Sequence, residues 1–382
     1  MSIKMFSCDF DEFKSAVFSA LNYLDSKSRD RINCNILLKT VDNKLHVQGQ
    51  SHHKIGIDIT LHAQVEIDIL KLLDTAELKL VLEGNKADTV IMSMDDETDR
   101  RVSLQLGNRI AYIPIFDIDD YPDLLTPFDG FEVKFDNREL NYLIKRVIFA
   151  WDKKTPTVLG YAALDVEGSK AKMTMSDTSV LAIATCKLFQ PLEKEGKFQF
   201  LVPGNVLTNL LKEEIFSRGF MRKFSTEISF LFNGNEFCIK FGKREIRGMV
   251  GYTSYPEVSH IIAERYATTI TVNKNNFSDS IQHCYNGNRK FVILDAKDST
   301  MNVQTFKGYN EVDLIVDEPI PVNLVGLPAS VLLNPVFIKN VLRELNSEFI
   351  SIGINESDEP IRIYDLDDPD YIYIVSPFRH RR

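Results

Sequence analysis

The chain lacks any long apolar run. None of its 382 residues belongs to a hydrophobic stretch that approaches the roughly 18 residues of a membrane span. The opening MSIKMFSCDF also lacks the apolar core of a secretory signal. The composition, 44% hydrophobic and 26% charged, is that of an ordinary globular protein. We therefore expect a cytoplasmic protein without a membrane segment.

Cysteine is scarce and has no pattern. The five cysteines are odd in number and free of CxxC spacing: Cys8, Cys34, Cys186, Cys238 and Cys284. A disulfide framework or a structural zinc site would need paired, regularly spaced cysteines. The sequence therefore predicts reduced thiols, most of them in the core.

The motifs of common catalytic sites are missing as well. No GxxxxGK[ST], GxGxxG, GxSxG or HExxH occurs. His52 and His53 are neighbours, so on a strand they would point to opposite faces and would not share a metal ion. The acidic runs Asp117–Asp120 and Asp365–Asp370 could hold a hard cation, but interrupting apolar residues favour solvated turns. We expect a non-enzymatic protein without cofactor or metal.

Positive charge is in deficit. The formal net charge is −9, whereas a nucleic-acid-binding domain usually has a basic excess. This balance counts against DNA as a partner unless the basic residues are concentrated on one surface.

What the chain does contain is a threefold repeat of structural pattern. Apolar periodicity predicts amphipathic helices in pairs, whose starts lie 54, 66 and 59 residues apart. Residue identity between the repeats is low, so order and spacing indicate the repeat. The six predicted helices are Asp9–Leu24, Ala63–Asp74, Asn137–Ala150, Pro203–Glu214, Asn275–Tyr285 and Asn334–Leu345.

Strand patterns repeat in the same way. An alternating apolar hairpin with a polar turn follows the first helix of each pair, and another follows the second. The first set is Asn35–Gly49, Ala162–Ser176 and Phe291–Phe306, and the second is Leu78–Ser93, Ile228–Phe241 and Ile350–Asp365.

Each repeat then closes on a further strand. The first two closures end in matching turns, Asp120-Tyr121-Pro122-Asp123 and Ser254-Tyr255-Pro256-Glu257. The sequence thus predicts an α+β protein of three repeated domains, each with two helices packed on antiparallel sheets, at residues 1–127, 128–258 and 259–382. A domain of that size supports its own core.

Four segments carry a resemblance to a known family. The ending Tyr371-Ile-Tyr-Ile-Val-Ser-Pro-Phe-Arg379 resembles the closing strand and tail of the bacterial DNA polymerase III β subunits, the sliding clamps. Asp177 with Leu181-Ala182 is similar to their T-D-x-x-x-L-A motif, and Tyr255-Pro256-Glu257 to their F-P-[DE] turn. Asn334-Pro335 with Phe337, Val341 and Leu342 resembles their N-P-x-[YF] helix. Thr178-Ser179-Val180 departs from the usual G-H-R, which indicates a divergent member with its own partner specificity.

The resemblance implies a DNA sliding clamp and processivity factor in DNA replication. Such a protein is a ring-shaped homodimer that encircles duplex DNA without sequence specificity and tethers the replicative polymerase and other replication or repair proteins. An ATP-dependent clamp loader would be a separate partner. Domain size agrees with a dimer, because six domains of about 35 Å diameter enclose a hole of about 35 Å, whereas three leave only about 5 Å.

The resemblance also implies a DNA-facing surface that answers the charge objection. A clamp must slide, so few firm phosphate contacts suit it. Two basic loops match places where the family touches DNA, one in domain 1 and one after Trp151, and helix cations add to them. The expected DNA-binding residues are Lys27, Arg29, Arg31, Lys145, Arg146, Lys153, Lys154, Lys212, Lys274, Lys339 and Arg343.

Two further sites follow from the resemblance. Partner proteins insert a short apolar peptide beside the tail, in a pocket whose expected lining is Leu159, Ser176, Leu181, Pro256, His260, Ile261, Asn334, Phe337, Ile361, Ile374, Ser376, Pro377, Phe378 and Arg379. The dimer joint is expected at Ile110, Tyr112, Ile113, Ile281, Cys284 and Tyr285. Two alternatives stay open: a toroidal structural protein without a DNA-tethering role, and a carboxylate-metal hydrolase built around Asp365–Asp370.

Overall fold

The computed structural model describes residues 3–25, 27–51, 55–94, 100–116, 118, 121, 124–153, 157–252, 254–285, 291–306 and 314–378. The chain divides into two compact units. Unit 1 comprises Met1–Asn137 and Lys212–Gly251, and unit 2 comprises Arg138–Leu211 and Tyr252–Arg382. The division into three domains at residues 127 and 258 stays a prediction beside these two units.

Unit 1 is built on an antiparallel sheet of thirteen strands in the order β10-β15-β16-β17-β4-β3-β2-β6-β9-β8-β7-β1-β5. A short 3-10 turn at Glu214–Phe216 precedes its last helix. Its elements are β1 Ile3–Asp9, α1 Phe10–Leu21, α2 Arg31–Cys34, β2 Ile36–Val41, β3 Lys44–Gln50, β4 Gly56–His62, β5 Gln64–Val65, β6 Leu70–Leu73, α3 Thr75–Glu83, β7 Thr89–Met94, β8 Arg101–Leu106, β9 Arg109–Phe116, β10 Phe131–Asp136, and later in the chain α6 Arg218–Lys223, β15 Glu227–Asn233, β16 Glu236–Phe241 and β17 Arg244–Met249.

Unit 2 has a twelve-stranded antiparallel sheet in the order β14-β11-β12-β13-β25-β24-β23-β18-β21-β20-β19-β22. Unit 2 also contains three 3-10 turns, at Ile148–Ala150, Val158–Gly160 and Ser259–Ile261. Its elements are α4 Asn137–Val147, whose first residue lies in unit 1, β11 Tyr161–Glu167, β12 Lys170–Ser176, β13 Val180–Lys187, β14 Lys197–Pro203, α5 Gly204–Leu210, β18 Thr268–Asn273, α7 Lys274–Cys284, β19 Val292–Lys297, β20 Thr300–Phe306, β21 Leu314–Gly326, β22 Ala329–Leu333, α8 Pro335–Glu344, β23 Phe349–Ile354, β24 Ile361–Asp365 and β25 Asp368–Val375.

Five of the six predicted helices are present, and the exception is instructive. Residues 63–74, predicted as a helix, contain β5 and β6, and the helix α3 begins only at Thr75. Asp74 caps it, because its carboxylate accepts the Glu77 N–H at 3.0 Å. Val65, Ile67 and Ile69 alternate with a period of two, whereas the fully buried Leu78 and Leu82 are four residues apart, as a helix requires.

The predicted hairpin Leu78–Ser93 is therefore wrong in its first half, which is α3. Its second half is β7, which pairs with β1 and β8. With the corrected start, the paired helices begin at Phe10 and Thr75, at Asn137 and Gly204, and at Lys274 and Pro335, which are 65, 67 and 61 residues apart. The repeat is more regular than the sequence pattern predicted.

The other five predicted hairpins are confirmed, and their turn residues explain the register. Asp42 and Asn43 both have positive φ, 51° and 58°, which a two-residue turn matching the twist of β2 and β3 requires. Gly168 (φ 55°) and Asp298 (φ 57°) serve the same purpose in the two equivalent hairpins. Short polar side chains and glycine adopt this conformation at little cost.

Element order repeats three times along the chain. Each repeat, minor elements aside, runs strand, helix, four strands, helix and three strands: β1 to β9, β10 to β17, and β18 to β25. The third strand of the four pairs with the closing strand of the next repeat, as β4 does with β17 and β13 with β25. The α+β class is thus confirmed. In the described part of the chain, no helix has the length and apolar character needed to cross a membrane.

Candidate functional site

An apolar cluster in unit 2 contains three residues of the expected peptide pocket. Leu181 on β13 and Ile374 on β25 are direct partners in the sheet, and each is 2% exposed. Ile261, from the 3-10 turn at 259–261, packs against this pair. The buried Ile183 and the partly buried Val258, Ile262 and Ile372 complete the cluster and were not in the predicted set. We call this set, together with the tail residues 376–378, the tail surface.

A tight turn beside the cluster is shaped by Asp177. Its carboxylate accepts the backbone N–H groups of Ser179 and Val180 at 3.0 and 2.9 Å. The buried Ser176 hydroxyl donates to the Val180 carbonyl at 2.7 Å. Thr178, between them, has a φ of 74°. Such a side-chain-to-backbone turn explains why an aspartate stands here, and it places Thr178 and Ser179 at the rim of the tail surface.

The tail lies against this turn and against β22. The Ser376 N–H donates to the Ser179 carbonyl at 2.8 Å, and the Phe378 N–H donates to the Leu332 carbonyl at 2.9 Å. The Phe378 ring meets the Phe291 ring edge-on, with centroids 4.9 Å apart, yet remains 38% exposed. Phe378 is therefore held in place while part of its ring stays exposed.

The start of α8 borders the same strands. Asn334 caps the helix by accepting the Val336 N–H at 2.9 Å, and Pro335 occupies the first turn, where its missing N–H costs nothing. The half-buried Phe337 is fixed through its carbonyl, which accepts the Tyr373 hydroxyl at 3.0 Å. Tyr373 lies on β25 next to Ile374, so α8 and the apolar cluster share one strand.

The remaining pocket residues differ in exposure. Ile361 is fully buried on β24, Leu159 and Pro377 are half-buried, and Pro256 and His260 are exposed. Arg379 lies outside the described residues. The sequence reasoning missed Phe291, although its place as the first apolar residue of a predicted hairpin was a usable signal.

Among the expected DNA-binding cations, Arg146 has a different role. Its side chain is 3% exposed, and one guanidinium nitrogen lies 3.1 Å from Asp365 and 3.4 Å from Asp368. The guanidinium also stacks over the rings of Tyr142 and Tyr371, at 5.1 and 4.6 Å. A guanidinium this buried cannot reach a DNA phosphate, so the structure gives Arg146 a place in the core of unit 2.

Asp365 receives more donors than Arg146 alone. Ser347 donates from both its hydroxyl and its N–H, and the Asn346 N–H donates at 3.1 Å. Burial alone would raise the pKa of the Asp365 carboxyl, but these hydrogen bonds and the Arg146 charge outweigh it and hold that pKa below its ordinary value. Protein donors thus occupy the first carboxylate of the run Asp365–Asp370, around which the hydrolase alternative was built. Within the described ranges, no group of three or more metal-ligating residues is assembled.

The other expected cations are spread over both units. Lys27, Arg29, Arg31, Lys153, Lys212 and Arg343 are exposed, while Lys145, Lys274 and Lys339 are half-buried. Arg31 lies over the Phe116 ring at 4.8 Å, Lys339 over Tyr285 at 4.7 Å, and Lys153 over Trp151 at 5.3 Å. Lys274 donates to the Leu345 carbonyl and Lys212 to the Asn22 side chain. Lys154 lies outside the described residues.

The expected dimer residues divide by exposure. Ile110 and Tyr112 on β9 are 59% and 52% exposed, and the Arg101 guanidinium covers one face of Tyr112. Ile113, Ile281 and Cys284 are buried in the cores of their own units. Tyr285 is half-buried beneath Lys339. Of these six, Ile110 and Tyr112 alone are large side chains with more than half of their surface exposed.

Comparisons of sequence and of structure both match the chain to bacterial sliding clamps. No protein-family model matches the chain. It is 22% identical over 326 residues to the beta sliding clamp of Bacillus subtilis, a match that covers 84% of this chain and 80% of the relative. A crystal structure of the DNA polymerase sliding clamp from Bacillus subtilis superposes with a TM-score of 0.87 at 19% identity, covering 99% of this chain and all of that one.

A second solved structure agrees. The putative DNA polymerase III beta subunit from Eubacterium rectale gives a TM-score of 0.87 at 16% identity, covering 98% of this chain. Identity this low with agreement this extensive indicates a distant relationship that spans the fold. The chain is similar in sequence to the bacterial beta sliding clamps and has the fold of the beta subunits of DNA polymerase III.

Proposed function

We propose that this protein is a DNA sliding clamp. Two copies close into a ring around duplex DNA without reading its sequence, and the ring tethers a replicative polymerase. The observation that supports this most strongly is agreement with the fold of DNA polymerase sliding clamps over 98–99% of the chain, joined to sequence relatives of the same name.

The strand pairing between repeats supports ring closure. Gly56–Ile59 of β4 pairs with Arg244–Arg247 of β17, and Val180–Ile183 of β13 pairs with Ile372–Val375 of β25. The equivalent strand of the third repeat is β21, and the equivalent closing strand of the first is β9. We infer that β21 of one copy pairs with β9 of the other, in both directions, so the same contact made twice closes the ring.

The exposed residues on β9 fit that joint. Ile110 and Tyr112 would be covered by the partner subunit, which removes the largest apolar side chains that this strand shows to water. Ile113, Ile281 and Cys284 would support the joint from within, since their side chains are already buried. The joint would contain a continuous sheet and a small apolar patch.

DNA would be contacted weakly and at few points. The exposed cations Lys27, Arg29, Arg31 and Lys153 lie in or beside loops, where long side chains reach phosphates without fixing a base register. A chain with net charge −9 repels DNA from its general surface. Weak phosphate contacts suit a clamp that is retained by topology and must move along the duplex.

Partner proteins would bind at the tail surface. Leu181 and Ile374 form its floor, and Phe337, Phe378 and Ile261 stand around it, at half-buried or exposed positions. A short peptide with apolar anchors gains affinity by covering such side chains. The altered rim at Thr178 and Ser179 would select partners whose flanking residues differ from those of other clamps.

This function requires no catalysis by the clamp. Opening the ring around closed DNA would depend on an ATP-dependent loader supplied by another protein, and nucleotide addition would belong to the polymerase. The alternative as a metal-dependent hydrolase has no support from Asp365, because Arg146 and the Ser347 hydroxyl already occupy its oxygens.

Retention on circular DNA tests the proposal. Protein loaded onto nicked circular DNA should remain bound through a wash at about 0.5 M salt, where phosphate contacts are screened. Cutting the circle with a restriction enzyme should release it. A block placed at both ends of the cut DNA is the matched control and should restore retention. Protein that stays on unblocked linear DNA would be held by contacts, which would contradict a topological clamp.

A further inference from the structure

The second repeat departs from the other two at one connection. Between the second helix and the next strand, the first repeat has five residues (84–88) and the third has four (345–348). The second repeat has sixteen (211–226), and these include a 3-10 turn and the short helix α6. The repeat therefore carries an added segment, which the ring architecture itself does not require, since the other two repeats close without it.

Hydrogen bonds from Asn137 hold the two ends of this segment together. The fully buried Asn137 donates from its side-chain amide to the Ile215 carbonyl at 2.8 Å, and its amide oxygen accepts the Thr226 N–H at 3.2 Å. The Asn137 N–H also donates to the Thr226 carbonyl at 3.0 Å. One side chain thus ties both ends together. We call residues 216–225 the α6 loop.

The root of the loop is anchored in the core of unit 1. Phe216 is 4% exposed, and the nearby Glu213 is 5% exposed. Glu213 accepts the Ser19 hydroxyl at 2.5 Å and pairs with Arg244 at 3.1 Å. The ordered base holds the rest of the loop out from the unit, as loops that carry function are held by a rigid scaffold.

The outer part of the loop is basic and aromatic. Its sequence, FSRGFMRKFS, contains three cations and no acidic residue, in a chain whose net charge is −9. Arg218, Arg222 and Lys223 are exposed. Phe224 is 54% exposed and forms a tilted pair with Phe220, with ring centroids 5.0 Å apart. An open aromatic ring therefore directly follows two exposed cations, Arg222 and Lys223.

We propose that the α6 loop binds single-stranded nucleic acid. Cations that follow a phosphate backbone, next to an exposed ring on which a base can stack, are the features of sequence-tolerant single-strand binding. Arg218, Arg222 and Lys223 would contact phosphates, and Phe224 would stack on an unpaired base. Duplex DNA would not use the ring, because its bases are already stacked on each other.

This site goes beyond the proposed clamp function and does not depend on ring closure. A short free oligonucleotide needs no ring around it, so binding to the α6 loop can be measured apart from topological retention. If (dT)20 does not bind, the sliding-clamp proposal is unaffected, and if the protein is not retained on circular DNA, the proposal for the α6 loop is unaffected. On a clamp, such a loop would give the protein an affinity for exposed template strand near its duplex track.

The test is binding of fluorescein-labelled (dT)20 to the full chain, measured by anisotropy across a salt series. Replacing the three cations together (R218Q, R222Q and K223Q) should lower the slope of log affinity against log salt by about 2, since each phosphate contact to a single strand contributes about 0.7. The matched control removes three exposed lysines of unit 2 (K170Q, K187Q and K197Q), with the same change of net charge. It should leave the slope unchanged.

A second pair of variants separates stacking from charge. F224L keeps an apolar side chain but removes the ring, and should weaken (dT)20 binding roughly fivefold or more. G219A adds a methyl group that meets no atom within 4 Å, and should bind as the parent does. Equal losses in the two triple variants, or full binding by F224L, would overturn the proposal. Tighter binding of a poly-glutamate peptide than of (dT)20 would overturn it as well, because it would assign the loop to an acidic protein partner.

Discussion

Replacing Arg146 distinguishes its structural role from the DNA-binding role that the sequence predicted. R146M keeps most of the side-chain length and removes the charge. The carboxylate of Asp365, 1% exposed, then loses its cation. Breaking a buried ion pair by removing one partner costs about 3–5 kcal/mol. Asp365 keeps its hydrogen bonds from Ser347 and Asn346, so we expect the lower end, about 3 kcal/mol.

The chain provides its own probe for this measurement. Trp151 is the sole tryptophan and lies in unit 2, against Gly204 at the start of α5. Its fluorescence during urea unfolding reports unit 2 without a signal from unit 1. Because the protein has two units, the comparison rests on the shift of this transition and not on a single global free energy.

A double-mutant cycle gives the control. D365N alone leaves the Arg146 guanidinium buried with only Asp368 nearby, and should also destabilise unit 2. The double variant R146M/D365N should lose less than the sum of the two, by an amount within about 0.5–3 kcal/mol. If R146M shifts the unfolding transition by less than about 1 kcal/mol and instead reduces the salt dependence of duplex DNA binding, the structural reasoning is wrong.

Three further predictions concern other surfaces. I110D should convert a dimer to a monomer by light scattering, with little loss of stability, because the side chain is 59% exposed in the single chain; a dimer that survives would count against the β9 joint. F378A should weaken the binding of a partner peptide at least tenfold, as measured by calorimetry. It should lower the free energy of unfolding by about 1 kcal/mol, the contribution of one aromatic pair. An unchanged peptide affinity would show that Phe378 does not belong to the site. Burial raises the pKa of the Glu213 carboxyl, and the Ser19 hydrogen bond and Arg244 only partly offset this. Glu213 therefore favours folding of unit 1 below the unfolded pKa of about 4.3, and this contribution is lost as pH rises through the folded value. E213Q should flatten that acid-range dependence in hydrogen exchange of unit 1, and an unchanged profile would refute the assignment.

Much of the fold could be predicted because it repeats. Hairpins with polar turns such as Asp42-Asn43 define their register locally, and the start of a helix such as α8 is marked by Asn334-Pro335. The error at residues 63–74 arose where leucine-rich strands adjoin a leucine-rich helix. Length and composition do not distinguish strand from helix in this region. The four-residue spacing of the buried Leu78 and Leu82 does, because it is the spacing of one helix face.

The site was harder to predict for a physical reason. Arg146 sits on an amphipathic helix beside Lys145, and its contact with Tyr142 within α4 does not by itself indicate burial. The difference lies more than two hundred residues away, at Asp365 and Asp368, which take the charge into the core. Likewise, Phe291 supports Phe378 only through tertiary contact. A local pattern reports which residues share a face, but it does not report what covers that face.

The strand pairing between repeats also constrains how the chain is made. The edge of β4 at residues 56–59 finds its partner, β17, only about 185 residues later in the chain. At translation rates of about 5–20 residues per second, that edge waits roughly 10–40 s as synthesis proceeds. Strands left open in this way invite pairing with other nascent chains. Residues 1–127 made alone would keep that edge permanently, so a fragment that stops at the end of the first repeat should aggregate. A fragment that ends after Met249 covers β4 with β17 but leaves the equivalent edge of β13 open, because it lacks β25.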